Sequence, residues 1–235
     1  PSLAGPKRPQ DRIPLTDAKT TFEGHLAPIA KARADSAPER DWSVADAMRT
    51  RHFWLLSIVY GLTSIGSFLV SLHQLAFAVD CGFDPLYAAF VLGLGSLLAL
   101  PGVILTGTIS DYIGREGAAI LAYAISIIGV AAALLIDSAD QHFLLWIHAC
   151  FFGITWGARG PAITAKTADL FGGPRLGTIL GLITISSGLG AGLGAWGAGF
   201  LFDLTGSYQL GFMLSIAAYT TGAVVFWALR KPVKV

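Results

Sequence analysis

Six long apolar stretches, at roughly 53–79, 86–108, 117–136, 143–165, 176–201 and 209–229, constrain this chain more than any other feature. Each is close to the ~20 residues an α-helix needs to cross a hydrocarbon core of ~30 Å at 1.5 Å per residue. Lipid offers no partner to backbone N–H and C=O groups, so such stretches fold as helices that satisfy themselves. A soluble all-helical core would instead need a polar face on every helix. Only 13% of the residues are charged, against about 25% in an ordinary soluble domain. The expected fold class is therefore an all-α membrane protein with six transmembrane helices and the lipid bilayer as its solvent. The 28 glycines fit helices that pack closely through small residues.

Residues 1–51 are polar, rich in proline, and hold nine of the sixteen Lys and Arg. They read as a loop, ending in a short interfacial helix near 43–50 that Ser43 caps, with Asp46 three positions on approximating a capping box. The six-helix domain is expected over 52–230 and a short tail over 231–235. Asp84-Pro85 has the form of an N-cap followed by proline at the first helical position. The linkers near 80–85, 137–142 and 203–208 carry Asp80, Asp84, Asp137, Asp140 and Asp203 but no Lys or Arg. Arg115, Lys166 and Arg175 occupy the others, and Arg230, Lys231 and Lys234 the C-terminus. The positive-inside rule then puts both ends of the chain in the cytoplasm. Arg159 alone lies inside a span.

The second and fifth spans close on related stretches, "GTISDYIG" with Gly107, Asp111 and Gly114, and "GFLFDLTG" with Gly199, Asp203 and Gly206. Three crossings separate the copies, so they fall on opposite sides of the membrane, the mark of a 3+3 inverted repeat.

"GTISDYIGRE" resembles the cytoplasmic signature of the major facilitator superfamily, G-x-x-x-D-(R/K)-x-G-R-(R/K). Gly107, Asp111, Gly114 and Arg115 match it, while Tyr112 and Glu116 stand at its other basic positions. "LHQLAFAVDCGF", "GPAITAKTADLFG" and "GFLFDLTGSYQLGF" are similar to stretches of the monocarboxylate and oxalate/formate transporter group. The resemblance covers residues 42–230. It implies the C-terminal half of a twelve-helix fold, completed by a missing N-terminal six-helix half. It also implies a secondary transporter at the cell membrane, taken as a bacterial inner membrane, and a small carboxylate as substrate, moved with protons or by exchange.

Gly107, Asp111, Gly114 and Arg115 are the expected gating set. Asp111 can accept from free backbone N–H groups at a helix start, and Arg115 can pair with a carboxylate across the cytoplasmic seam. A charged turn serving topology alone is the plainer reading. In the first span Tyr60, Thr63, Ser64, Ser67, Ser71 and Gln74 form a polar stripe at 100° per residue. It lines either a cavity or a helix contact, and its hydroxyls can also bond back to their own helix. His73 lies off the stripe and shares a face with Asp80, so that it packs between the halves or faces the pathway. In the fourth span His148, Phe152, Thr155 and Arg159 share one face that runs on to Lys166. Arg159 either grips a substrate carboxylate through two parallel hydrogen bonds or snorkels to the cytoplasmic headgroups. Substrate binding is accordingly expected at Arg159, His148, Thr155, Tyr60, Ser64, Ser67 and His73. No span holds a deep carboxylate, so the proton carrier belongs to the missing half or is His73 or His148.

Gly190 and Gly194 form a GxxxG, read as packing, and Pro101-Gly102 predicts a kink. The glycine clusters form no phosphate loop, since no Lys-Ser/Thr follows them. Cys81 and Cys150 lack ligand spacing. No cofactor, metal, catalytic residue or nucleic-acid partner is expected. The alternatives are a transporter of a non-anionic solute such as a drug or sugar, a channel-like protein, and a six-span intramembrane hydrolase using Ser186 or Ser187.

Overall fold

The computed structural model describes residues 2–4, 12–24, 26 and 41–229, which fall into two compact units, 1–40 and 41–235. In the first unit two three-residue strands, β1 (Ser2–Ala4) and β2 (Arg12–Pro14), pair antiparallel. The 1–51 segment is thus not loop throughout, and the unit boundary precedes the expected interfacial helix. The expected tail at 231–235 and its basic residues lie outside the described residues.

The second unit is helical. α1 (Val44–Arg49) begins where Ser43 Oγ accepts the Asp46 N–H at 3.0 Å. Thr50 Oγ1 then caps α2 (Arg51–Ser71) by accepting from Phe53 N–H. The Trp54 indole donates to the Met48 carbonyl at 2.8 Å and ties the two helices together. α2 breaks at Leu72–His73, and α3 (Gln74–Asp80) continues it. Asp84 caps α4 (Pro85–Leu97), accepting from Tyr87 N–H at 2.9 Å with proline at the first turn, as its sequence predicts. α4 ends at Leu97, four residues before Pro101, whose ring clashes with the Leu97 carbonyl and has no N–H to offer it. The expected kink therefore falls at Leu98, upstream of the proline.

α5 (Ala99–Leu134) contains a reversal. Gly114 has φ 80° and ψ 164°, a conformation open essentially to glycine alone. On either side of it, Gly102 packs on Ile154 and Gly129 on Phe152, adjacent levels of α6 (His142–Phe171). The two arms of α5 therefore run back along one another. α7 (Leu176–Thr205) and α8 (Gln209–Ala228) complete the unit. Gly206 ends α7 in the left-handed conformation at φ 64°, so both glycines that close the internal echo adopt positive φ.

Among the described residues, four helical stretches are long and apolar enough to cross a membrane: 51–80, 85–134, 176–205 and 209–228. The six-stretch expectation counts the arms of α5 separately and adds α6. That helix is not among the four, and its second half carries Arg159, Lys166 and Asp169.

Glycine seams hold the helices together. A Cβ on Gly190 would lie 2.4 Å from the Gly61 carbonyl oxygen, and one on Gly194 2.6 Å from that of Ile65. α7 thus meets α2 backbone to backbone, as the GxxxG predicts. The same device joins α4 and the first arm of α5 to α6, where Gly95 faces Ala149, Gly153 faces Gly95, and Gly157 faces Ala99. By contrast Gly181, Gly188 and Gly192 have open space beside them. Between the seams lies an aromatic and aliphatic core that includes Leu56, Val59, Tyr123, Tyr219 and Phe226.

Candidate functional site

Arg159 is 3% exposed, deep on the face of α6 that also buries His148, Phe152 and Thr155. Its Nη1 donates to Ser126 Oγ at 3.3 Å, from the second arm of α5, and to the Tyr219 hydroxyl on α8. Three rings surround the guanidinium carbon, with Phe152, Tyr219 and Trp156 centroids at 4.9, 5.0 and 5.3 Å. Such contacts attract a cation through the ring quadrupole. Nη2 is buried, with no hydrogen-bond partner among the described residues. The side chain therefore does not snorkel. It stays in the bundle with one terminal nitrogen engaged and the other open.

The network spreads from there. Ser67 Oγ bonds the Tyr219 hydroxyl at 3.0 Å and its own helix at Thr63 O, and Thr63 Oγ1 meets the Tyr123 hydroxyl at 2.6 Å. Thr155 Oγ1 bonds Ser126 Oγ at 2.8 Å and also its own helix. Ser64 Oγ pairs with Ser187 Oγ at 2.7 Å across the α2–α7 seam. The first-span stripe thus does both things expected of it, bonding back and holding helix contacts. Tyr60 is partly buried near Gly160, and its hydroxyl is not among the groups joined to this network. Ser186 and Ser187, the serines of the hydrolase reading, bond Ile183 O and Ser64. Neither has a histidine partner among the described residues.

A cavity of about 390 Å³ opens beside the cluster, lined in part by Phe68, Ser71, Gln74, Ser96, Phe152 and Trp156. Phe152 and Trp156 face both this cavity and the guanidinium, so the cation sits behind an aromatic wall. Ser71 Oγ is buried, with no partner among the described residues. His148 is fully buried, with Nδ1 2.9 Å from Gly129 O and Nε2 3.2 Å from Gln74 Oε1.

His73 does not join this group. The break at Leu72–His73 parts it from the α2 stripe. It is the N-cap residue of α3 and keeps a common side with Asp80: its ring lies 6.4 Å from that of Tyr208, whose hydroxyl donates to Asp80 at 2.8 Å, and its Nε2 lies 3.4 Å from Ala195 O on α7. Burial and the Asp80 hydrogen bond push the Tyr208 phenol up to about 12, so it keeps its proton and remains the donor.

The signature residues gather at the opposite end. Arg115 reaches Asp111 at 3.6 Å, Asp169 at 3.5 Å and Ser110 Oγ at 3.0 Å. Asp111 is largely exposed and faces Arg115. Glu116, standing where the signature has a base, pairs with Lys166. Two bridges of opposite polarity thus fasten the second arm of α5 to the end of α6. Gly107 has open space around it.

Ser126, Tyr123, Tyr219 and Trp156 are site residues that sequence reasoning missed. Tyr123 and Tyr219 carried a signal, since a phenol in mid-span needs a partner. Ser126 and Trp156 carried none.

The profile of the Major Facilitator Superfamily matches residues 6–165. Monocarboxylate transporter 13 of Rattus norvegicus is 30% identical over 177 residues, 75% of this chain and 41% of that protein. Monocarboxylate transporter 2 of Homo sapiens is 33% identical over 168 residues, 70% of this chain and 34% of that protein. The chain thus spans less than half the length of these curated relatives. A short match, 61% over 33 residues, is to aconitate hydratase A of Thermus thermophilus, 14% of this chain and 4% of that enzyme. It is smaller than a folded domain of ~50 residues or more.

Proposed function

The chain belongs to the major facilitator superfamily, and on that premise we propose that it forms one six-helix half of a secondary transporter for a small organic monoanion, a monocarboxylate by class. The six spans are α2 with α3, α4 with the first arm of α5, the second arm, α6, α7 and α8. They form a 3+3 inverted repeat with the N-terminal segment in the cytoplasm as the central loop, and a second half completes the pathway. The repeat is supported by a constant register. Gly61 and Gly153, Thr63 and Thr155, Gly102 and Gly194, Asp111 and Asp203, and Gly114 and Gly206 all stand 92 residues apart. The glycine seams follow the same exchange: span one on span five, span four on span two.

The observation that carries the substrate class is the buried guanidinium with one unpartnered nitrogen behind the wall of a 390 Å³ cavity. A buried cation left short of partners is costly unless something else completes it, and an anion entering from the cavity would do so. The apolar majority of the lining, with Ser71, Gln74 and Ser96 as polar points, suits one carboxylate on a small organic body. Thr155 and Ser67 hold the arginine's partners and act as positioning residues, while Ser64 belongs to the seam. Gly107, Asp111, Gly114 and Arg115 form the inner gate that opens and closes in alternating access.

Arg159→Lys tests this. Lysine keeps the charge but has no planar fork to share between Tyr219 and an anion. Uptake of labelled monocarboxylates by the full-length protein in proteoliposomes should drop at least tenfold, with expression unchanged. Near-normal uptake by that variant would remove Arg159 from the site.

A further inference from the structure

The cavity beside Arg159 is longer than a minimal carboxylate needs. It runs along α6 from Trp156 to Ala149, about 10 Å of helix at ~1.5 Å per residue. A three-carbon acid spans only about 4 Å at standard bond lengths. With its carboxylate at the guanidinium, it leaves more than half of that length unfilled. The volume of about 390 Å³ falls in the range of roughly 300–1,000 Å³ that takes ligands of many heavy atoms.

Rings form the wall nearest the guanidinium. Phe68 on α2 meets Trp156 on α6 with centroids 5.7 Å apart at 62°, and Phe152 meets Trp156 at 5.9 Å and 52°. Tilted pairs of this kind leave an angle between their planes, where a further ring can sit at the ~4.5–7 Å centroid separations that aromatic neighbours prefer. Phe68 is only half-buried and Trp156 is 38% exposed, so both still have apolar surface for a ligand to cover.

The polar groups say how far along the cavity that ligand reaches. Gln74 is held by His148, and Ser96 bonds back to Leu92 O. Ser71 is different, since its buried Oγ has no partner among the described residues. It lies one turn of α2 beyond Ser67, whose hydroxyl bonds the Tyr219 hydroxyl that also holds Arg159. That turn is ~6 Å along the helix. A molecule that completes both Arg159 and Ser71 therefore carries a body about as long as an aromatic ring.

We infer that this cavity selects aryl monocarboxylates. The carboxylate meets Arg159, the ring lies against Phe68, Phe152 and Trp156, and Ser71 donates to an oxygen that the body carries. The inference rests on the transport reading above and adds the body of the substrate to it.

The test compares 2-oxo acids that share one head group: pyruvate, phenylpyruvate and 2-oxooctanoate, a straight-chain acid of similar length. Uptake of each labelled acid is measured with full-length protein in proteoliposomes. In the wild type, kcat/KM for phenylpyruvate should exceed that for pyruvate at least ~tenfold, from burial of the ring, and that for 2-oxooctanoate about threefold, from ring–ring contact. Trp156→Leu and Phe68→Leu each remove a ring and keep an apolar side chain. Each should cut the phenylpyruvate-to-pyruvate ratio at least ~fivefold. Loss of expression or of a contact to the shared head group cancels from this ratio. If one variant carries nothing, the other decides. A wild-type ratio near one, a ratio unchanged in a working variant, or 2-oxooctanoate carried as well as phenylpyruvate overturns the inference while leaving anion transport intact. A wild type that carries none of the three acids overturns the transport reading first, and this inference with it.

Discussion

Alanine at Gly190 and Gly194 offers a measurement with its own controls built into the same helix. The added methyl at Gly190 would lie 2.4 Å from the Gly61 carbonyl oxygen, and at Gly194 2.6 Å from that of Ile65. An ordinary carbon–oxygen contact needs about 3.3 Å, so α7 must withdraw from α2 by roughly 0.7–0.9 Å. Overpacking of this kind costs about 1–3 kcal/mol. Alanine also forms helix more readily than glycine by about 1 kcal/mol. That gain applies equally at Gly188 and Gly192, where an added methyl meets nothing within 4 Å. Gly188→Ala and Gly192→Ala should therefore be neutral or stabilising by up to ~1 kcal/mol, and the seam variants should lie ~1–3 kcal/mol below them. The double seam variant should cost less than the sum, because one withdrawal relieves both clashes. Reversible unfolding in mixed detergent micelles, followed by tryptophan fluorescence, measures all five proteins. Controls that lose as much stability as the seam variants would refute the reasoning, as would strict additivity.

Other predictions use the same quantities. Tyr219→Phe keeps the ring over Arg159 but removes the hydroxyl it shares with Ser67, so unfolding free energy should drop by about 1.5–3 kcal/mol. Lys166→Met should destabilise by up to ~3 kcal/mol by removing the ammonium that Glu116 faces, and the swap of Glu116→Lys with Lys166→Glu should recover most of it in a double-mutant cycle. On a background without Cys81 and Cys150, Ala139→Cys and Ser207→Cys should react with an impermeant thiol reagent added outside intact cells. Tyr112→Cys and Gly172→Cys should react only after the membrane is opened, and the reverse pattern would invert the topology.

Helix positions were legible in the sequence because lipid demands a minimum apolar length and caps declare themselves locally. Ser43, Asp84 and the Gly190–Gly194 pair all act as their spacing predicts. The hairpin at Gly114 was legible as a break. Its sharpness depends on one backbone angle, φ 80° at Gly114, with helix on both sides of it. The cluster around Arg159 was half legible. Its own face, with His148, Phe152 and Thr155, follows from 100° per residue, but Ser126 and Tyr219 arrive from other helices, and nothing in a single sequence specifies which helices become neighbours. His73 and Asp80 share a side as counted, because the break at Leu72 lies before both; the same break takes His73 off the α2 stripe and towards Ala195, which no count along one helix shows. Glu116, a mismatch to the signature, acquires its meaning only when Lys166 is found opposite it, fifty residues on.

The one-residue turn at Gly114 also bears on bilayer thickness. With a single glycine between them, the two arms of α5 end at the same depth on one side of the unit, and the bridges from Arg115 and Glu116 pin the second of them to α6. Neither arm can tilt or slide at that end without carrying the other. A thicker or thinner membrane must then be accommodated away from that end, where the span of α4 and the first arm already breaks at Leu98, partway along, and α2 at Leu72–His73. Hydrophobic mismatch costs only fractions of a kcal/mol per Å, but here it falls on one leaflet. Thiol accessibility measured across lipids of graded chain length should thus change near the Leu72 and Leu98 breaks before it changes at the Gly114 turn.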